Sequence, residues 1–335
     1  MRTTKKVETV RAEVDRGVRS RAGLVIGVLR DGETSVCGRS ADGGQLDGRS
    51  MFEIGSITKT FTSLLLADGV VRGEWSLGTP VRDLLPEGSM VPSRGGVEIT
   101  LEHLATHTSG LPNAPIPIVA GTIKMLRGHD PYAHLTEGGL LRALGAAKLK
   151  RTPGTGRIHY SNLGVGVLGL ALAHAVGRSY ADLVEERICG PLGLMDTRVD
   201  GHLSVEQRSR LVAGHRGRGK PAEPWPLNGM PAAGALRSTA DDLLRFQSAQ
   251  LNPDDTALAD AIRLTHVHRE DPRLTIGLGW MRLDRPHLLW WHNGGTGGYR
   301  SFAGFRPDQR DAVVVLSNQS RGVDRLGIRV LRSLD

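Results

Sequence analysis

Val7, Val10, Val14 and Val18 recur every three or four residues among charged neighbours across 6–20, the period of an amphipathic helix. The pattern then changes to an almost continuous apolar run at 22–29. Arg30-Asp31-Gly32 separates it from a second strand-like run at 33–37, which predicts two strands joined by an Asp-Gly hairpin. After Phe52-Glu53-Ile54-Gly55 the stretch 56–67 turns helical, and Phe61, Leu64, Leu65 and Leu66 make it apolar enough for a core helix. Between about 74 and 264, helical stretches alternate with loops rich in Pro and Gly. A short helix is expected at 100–106, ended by Ser109-Gly110-Leu111-Pro112, and a glycine-rich apolar helix at 163–173, whose small residues allow close packing on a neighbour. The helix after Ser179 stops at Gly190-Pro191. Strand patterns return at 279–283, 288–292, 301–305 and 311–317, and their short connections predict an antiparallel meander before a closing helix at 323–334.

Strands at both chain ends with helices between them predict an α/β (α+β) architecture, an antiparallel sheet flanked by helices. Residues 1–73 and 265–335 would form the sheet domain, 74–264 an inserted mainly helical domain, with the active site between the two. A chain of 335 residues can bury a large core, and with aromatics at 4% that core must be built mainly from aliphatic side chains. No window of about 18 apolar residues occurs, so no membrane span is expected. The first ten residues carry positive charge but no apolar run or cleavage site follows, which predicts a cytoplasmic protein, secreted only if the true start lies upstream. Cys37 and Cys189 read as free structural thiols. The net charge of +8 comes from arginines scattered through every segment without a nucleic-acid motif, so no nucleic-acid partner is expected. The one local cluster, Arg208, Arg210, Arg216, Arg218 and Lys220, reads as a solvated loop. Nothing in the pattern sets an oligomeric state.

Ser56 opens the apolar helix and Lys59 follows three residues later, placing both side chains on one helix face. A serine hydroxyl is a poor nucleophile until a base takes its proton. Lysine is such a base only when neutral, and the nearby Phe61, Leu64 and Leu65 are a surround that would lower its pKa. The start of a helix also offers free N–H groups to a developing oxyanion. Tyr160-Ser161-Asn162 adds a phenol able to exchange protons with nucleophile and leaving group, and an amide able to hold Lys59 or a substrate amide. His292-Asn293-Gly294 follows a strand-like run and continues as Gly295-Thr296-Gly297-Gly298. Glycines there let a substrate backbone approach the strand edge, and the Gly295 N–H can complete an oxyanion hole with that of Ser56. Each motif alone has an ordinary alternative: a capped helix with an exposed lysine, a tyrosine before a helix with Asn162 as its N-cap, and a satisfied structural histidine. His103 and His107 have zinc-like spacing, but Leu104 stands where a His-Glu-x-x-His site needs its Glu, so no metal is expected.

In order and surroundings, these motifs resemble the serine β-lactamase and penicillin-binding-protein superfamily. More narrowly they are similar to its class C β-lactamase, D-Ala-D-Ala carboxypeptidase and esterase branch. The stretches 103–112, 153–155, 190–197, 233–242, 277–280 and 293–301 extend the resemblance over most of the chain. It implies the β-lactamase/transpeptidase-like fold, Ser56 as acylated nucleophile, Lys59 and Tyr160 as the proton-handling pair, Asn162 as a positioning amide, and His292 on the strand lining the site. It implies no cofactor and a small-molecule or peptide substrate. One departure narrows the expectation. Class C β-lactamases usually carry Lys-Thr-Gly at the third motif, whereas a histidine is largely neutral at about pH 7 and attracts a substrate carboxylate less. The expected function is therefore a serine hydrolase of small esters, amides or D-amino-acid peptides, with weak β-lactam hydrolysis. A biosynthetic transesterase, acyltransferase or peptide cyclase of the same fold, and a non-catalytic penicilloyl-type sensor, are the alternatives.

Overall fold

The computed structural model describes residues 2–116, 121, 123, 124, 129–267 and 276–335, and the side chains of 2–7, 9 and 218 lie outside the described set, including those of Val7 and Arg218. Strands β1 (Gly23–Arg30) and β2 (Glu33–Ser40) form the expected hairpin, in register Arg30↔Glu33. Asp31 and Gly32 both take positive φ, 52° and 83°, the geometry that matches the twist of the flanking strands. At the centre β1 pairs with β11 (Asp311–Ser317), and the remaining strands are β8 (Met281–Leu283), β9 (Leu289–Gly295) and β10 (Arg300–Arg306). Their order is β2-β1-β11-β10-β9-β8, antiparallel throughout, so both ends of the chain complete one sheet.

The sheet is covered on both faces, which is why β1 is apolar without alternation. Leu24, Ile26 and Val28 pack with Val10, Val14, Leu326 and Val330 of the two terminal helices, Arg2–Val18 and Asp324–Arg332, and with Val323 just before the second. Val25 and Leu29 face the larger core instead. The helix Ala240–Leu251 lies on that second face, with Leu244 over Gly27, where a Cβ would come within 2.8 Å of Leu244 Cδ1. It falls within the stretch 74–264 expected to form the inserted lobe, yet it belongs to the sheet layer, because the face of β1 and β11 needs an apolar cover.

The helix Thr58–Val71 runs through the core and is buried continuously from Thr58 to Gly69. Against it lies the glycine-rich helix Asn162–Val176, whose Gly166 and Gly169 close on Met230 and Ala232. Ser161, not Asn162, caps this helix, its hydroxyl accepting from Gly164 N at 2.9 Å. A second, small sheet joins β3 (Phe52–Glu53), β7 (Leu236–Ser238) and β4 (Arg198–Val199), and β5 (His215–Arg216) pairs with β6 (Lys220–Pro221). Among the described residues no single helix is long and apolar enough to cross a membrane.

Candidate active site

From β3 the chain passes Gly55 into a 3₁₀ turn, Gly55–Ile57, and then into the helix Thr58–Val71. Gly55 sits at φ 51°, and a Cβ there would lie 2.6 Å from Gly295 N, so a glycine is required where the turn meets the end of β9. Gly294 is needed for a similar reason: a Cβ would run into the Ile54 carbonyl, which also accepts from Ser301 Oγ at 2.7 Å. The close approach that requires Gly294 is thus made by the protein's own backbone, and both Gly294 and Gly295 line the cleft. Ser56 stands in the first turn, where N–H groups lack intrahelical partners, with Gly295 N against the preceding Gly55.

Lys59 is fully buried. Its Nζ donates to Ser56 Oγ at 2.9 Å and to the Ala233 carbonyl at 2.5 Å, and among the described residues it has no ion-pair partner. Burial unopposed by a carboxylate pulls its pKa from 10.5 to about 7. The Tyr160 ring stands over the same ammonium, its centroid 5.1 Å from Nζ, and its hydroxyl is within hydrogen-bonding reach of the Ser56 side chain. Burial pushes the phenol up, opposed in part by the Ser56 hydrogen bond. The two groups are therefore driven in opposite directions, lysine towards neutrality and tyrosine towards staying protonated.

His292 is 1% exposed and its ring centroid lies 6.2 Å from that of Tyr160. Its Nδ1 is 2.6 Å from the Asn293 carbonyl, which can only accept, so Nδ1 carries the proton and Nε2 is bare. Burial, then the charge of Lys59, lower its pKa to about 3. His292 is thus neutral, and it stands behind the cleft wall. The cleft itself encloses about 630 Å³ and is lined by Ser56, Tyr160, Asn162, Gly294 and Gly295 among others. The Asn162 side chain hydrogen-bonds the Tyr132 hydroxyl and is absent from the partners of Lys59, which leaves substrate as its open role.

Residues 10–334 match the Beta-lactamase family. This chain belongs to that family. The D-alanyl-D-alanine-carboxypeptidase/endopeptidase AmpH of Escherichia coli is 32% identical over 298 residues, which cover 82% of this chain and 72% of that protein. A Beta-lactamase of Escherichia coli is 26% identical over 309 residues, covering 81% and 76%. The β-lactamase/D-alanine carboxypeptidase of Yersinia pestis superposes with a TM-score of 0.82 at 24% identity, covering 99% of this chain and 98% of that one, which shows the β-lactamase/transpeptidase fold. The chain is accordingly a serine hydrolase of the β-lactamase family.

Two features of this β-lactamase-family site were not foreseen. The first is His107, read in the sequence only as half of a zinc-like pair. It holds a left-handed φ of 57°, and its ring lies 4.4 Å from the Tyr160 ring, centroid to centroid. Ser161 N donates to its Nδ1 at 3.2 Å, so Nε2 carries the proton, and burial holds its pKa well below the usual value. His103 instead completes a capping box, accepting from Thr100 N at 3.2 Å. The signal that could have found His107 is its place in the Thr106-His107-Thr108-Ser109-Gly110 stretch, since histidine is among the non-glycine residues enriched at positive φ.

The second is a buried ion pair beneath the cleft. Glu53 and Arg237 face each other across β3 and β7, Oε1 to Nη2 at 3.1 Å, both essentially unexposed. Glu53 Oε1 also accepts from Trp225 N at 2.9 Å, tying a cleft-lining tryptophan to the strand that leads into Ser56. Burial pushes the Glu53 pKa up and Arg237 pulls it back. Glu53→Gln keeps the shape and leaves the guanidinium with Asp200, 3.4 Å away, as its remaining carboxylate. The expected cost is about 3 kcal/mol, the low end for a broken buried pair. Urea unfolding measures it, and a loss below about 1 kcal/mol would mean that the pair adds nothing beyond a surface bridge.

Proposed function

We propose that this enzyme forms an acyl ester on Ser56 and passes the acyl group to water, acting on D-amino-acid peptides and small amides or esters in the manner of a D-Ala-D-Ala carboxypeptidase. The observation that carries this reading is the fully buried Lys59, 2.9 Å from Ser56 Oγ and moved to about pKa 7. Near neutral pH a good fraction of Lys59 is free to take the Ser56 proton as Oγ attacks the carbonyl. The Ser56 and Gly295 N–H groups would receive the oxyanion. Tyr160, kept protonated by burial, is the acid that gives its proton to the departing amine or alkoxide and recovers one from Lys59. Water then attacks the acyl ester with the same groups in reverse.

Support for the peptidase reading over efficient β-lactam hydrolysis comes from the AmpH relative; His292, neutral, sets no charge preference between the two, since both substrate classes carry a carboxylate. A panel of a D-alanyl-D-alanine peptide, an uncharged ester and a cephalosporin, followed by turnover and by intact mass of the Ser56 adduct, tests it. Cephalosporin turnover faster than both other substrates would overturn the peptidase assignment. His292→Lys puts a longer, cationic side chain on this strand. It is expected to raise the kcat/KM ratio of carboxylate-bearing over uncharged substrates by about threefold or more; an unmoved ratio would dismiss the charge argument at 292.

A further inference from the structure

The turn Pro231–Ala233 closes on itself, Ala233 N donating to the Met230 carbonyl at 3.0 Å and Gly234 N to that of Pro231 at 3.1 Å. Carbonyls at the end of such a turn have no partner further along their own ladder. Two side chains of the helix Thr58–Val71 take them instead. Lys59 Nζ donates to the Ala233 carbonyl at 2.5 Å, and Thr62, three residues on and on the same helix face, donates from Oγ1 to the Ala232 carbonyl at 2.9 Å. Thr62 has a single proton, for which the Thr58 carbonyl competes at 3.2 Å. The buried Tyr180 hydroxyl, 2.8 Å from Oγ1, has Thr62 as its hydrogen-bond partner among the described residues. A buried phenol must place its proton, so Tyr180 donates to Thr62 and the threonine proton passes on to a carbonyl, that of Ala232 being the nearer. Gly169 of the neighbouring helix lies flat against the same groups, since a Cβ there would run into Ala232 and sit 3.3 Å from Tyr180 Cδ2.

What this chain of contacts delivers to Lys59 is direction. A neutral lysine has two N–H donors and one lone pair, and it takes the Ser56 proton only when the lone pair faces Oγ. The Ala233 carbonyl can only accept, so it claims an N–H and leaves the lone pair for Ser56. The other titratable groups acting at Lys59 are Tyr160, His107 and His292, and no carboxylate is among them. We propose that Thr62, directed by Tyr180, is a positioning residue for acylation: by holding the Ala232 carbonyl it fixes the adjoining Ala233 carbonyl, which turns the Lys59 lone pair towards Ser56. This rests on the acyl-Ser56 reading and adds to it the device that aims the base.

The test measures how fast an uncharged fluorophosphonate labels Ser56, read by intact mass from about pH 5 to 9, beside the unfolding midpoint of each variant. Thr62→Val keeps the shape and removes the hydroxyl. It is expected to slow labelling by about 10- to 100-fold, the range of a misplaced catalytic group. A fixed acceptor favours the ammonium, so its loss should also move the midpoint of the pH-rate curve about half a unit below the wild-type value near 7. Thr62→Ser restores a hydroxyl and should recover the rate to within about threefold. Thr62→Val strands the Tyr180 hydroxyl in the core, whereas Thr62→Val with Tyr180→Phe removes both partners and should bring the unfolding midpoint back towards wild type. Labelling by this double variant should stay slow all the same, and where the single variant does not fold the double variant carries the comparison. A rate that recovers together with the unfolding midpoint, or slow labelling with an unmoved pH midpoint, would reduce Thr62 to packing and overturn the proposal. Wild-type labelling matched by Thr62→Val defeats the role of Thr62 alone, whereas a wild-type enzyme that is not labelled at any pH defeats the acyl-serine reading itself.

Discussion

Ser56→Ala is expected to lower turnover by at least about 10⁴-fold and to abolish covalent labelling by a fluorophosphonate or penicillin probe. Among the described residues, no other serine near the cleft is free to take over the role. Ser301 lies nearby, but its hydroxyl is committed to the Ile54 carbonyl at 2.7 Å and is buried. Ser161 donates to the Pro112 carbonyl at 2.6 Å while capping its helix. Among the described residues Lys59 donates to Ser56 Oγ and the Ala233 carbonyl and to no second side-chain hydroxyl. The variant should also fold normally, because the turn is set by Gly55 and by the approach of Gly295 rather than by the serine hydroxyl. Turnover, intact-mass labelling and a thermal unfolding curve together check the prediction. Turnover within about tenfold of wild type, from protein with an unchanged unfolding midpoint, would remove Ser56 from the mechanism.

Much of the framework was legible because its signals are local. The Asp31-Gly32 hairpin, the unbroken apolar run of β1 and the capped, glycine-rich helix Asn162–Val176 each follow from a few adjacent residues. The third motif was legible too, although the predicted strand ended at 292 while β9 runs to Gly295. Two glycines weaken a strand by propensity, but pairing with Ser301 and Arg300 of β10 carries the ladder through them. The small sheet of β3, β7 and β4 was not legible, since strands of two or three residues have no period to read. Nor was the placement of the helix Ala240–Leu251, because an amphipathic pattern says that a face is buried without saying against what. At the site, the spacing of Ser56 and Lys59 was readable, whereas the depth of burial that sets the protonation of Lys59 and His292 is a property of the assembled core. The place of His107 against Tyr160 is a contact made across turns that no periodicity relates.

Lys59→Met is expected to lower acylation by about 10³-fold or more and, at neutral pH, to make the protein more stable. Both effects have one origin. In the unfolded chain the lysine binds its proton up to its ordinary pKa near 10.5, whereas the buried side chain releases it at about 7. Between those values the unfolded state binds more protons than the folded one, so stability rises with pH across that window. Below it the full penalty applies, on the order of 5 kcal/mol, and above it the penalty is gone. Methionine, of similar length, carries no such penalty, but it gives up the hydrogen bonds to Ser56 Oγ and the Ala233 carbonyl. That loss is about 1–2 kcal/mol, leaving a net gain of about 3 kcal/mol for the variant at pH 7 or below. The difference should shrink as pH rises and reverse above about pH 10, where neutral lysine keeps its hydrogen bonds at no charge penalty. Unfolding free energies of both proteins from pH 6 to 10 measure this, alongside the wild-type acylation rate, which should climb through pH 7 as Lys59 loses its proton. Parallel stability curves would mean that Lys59 stays charged in the fold, and a charged ammonium cannot accept the Ser56 proton.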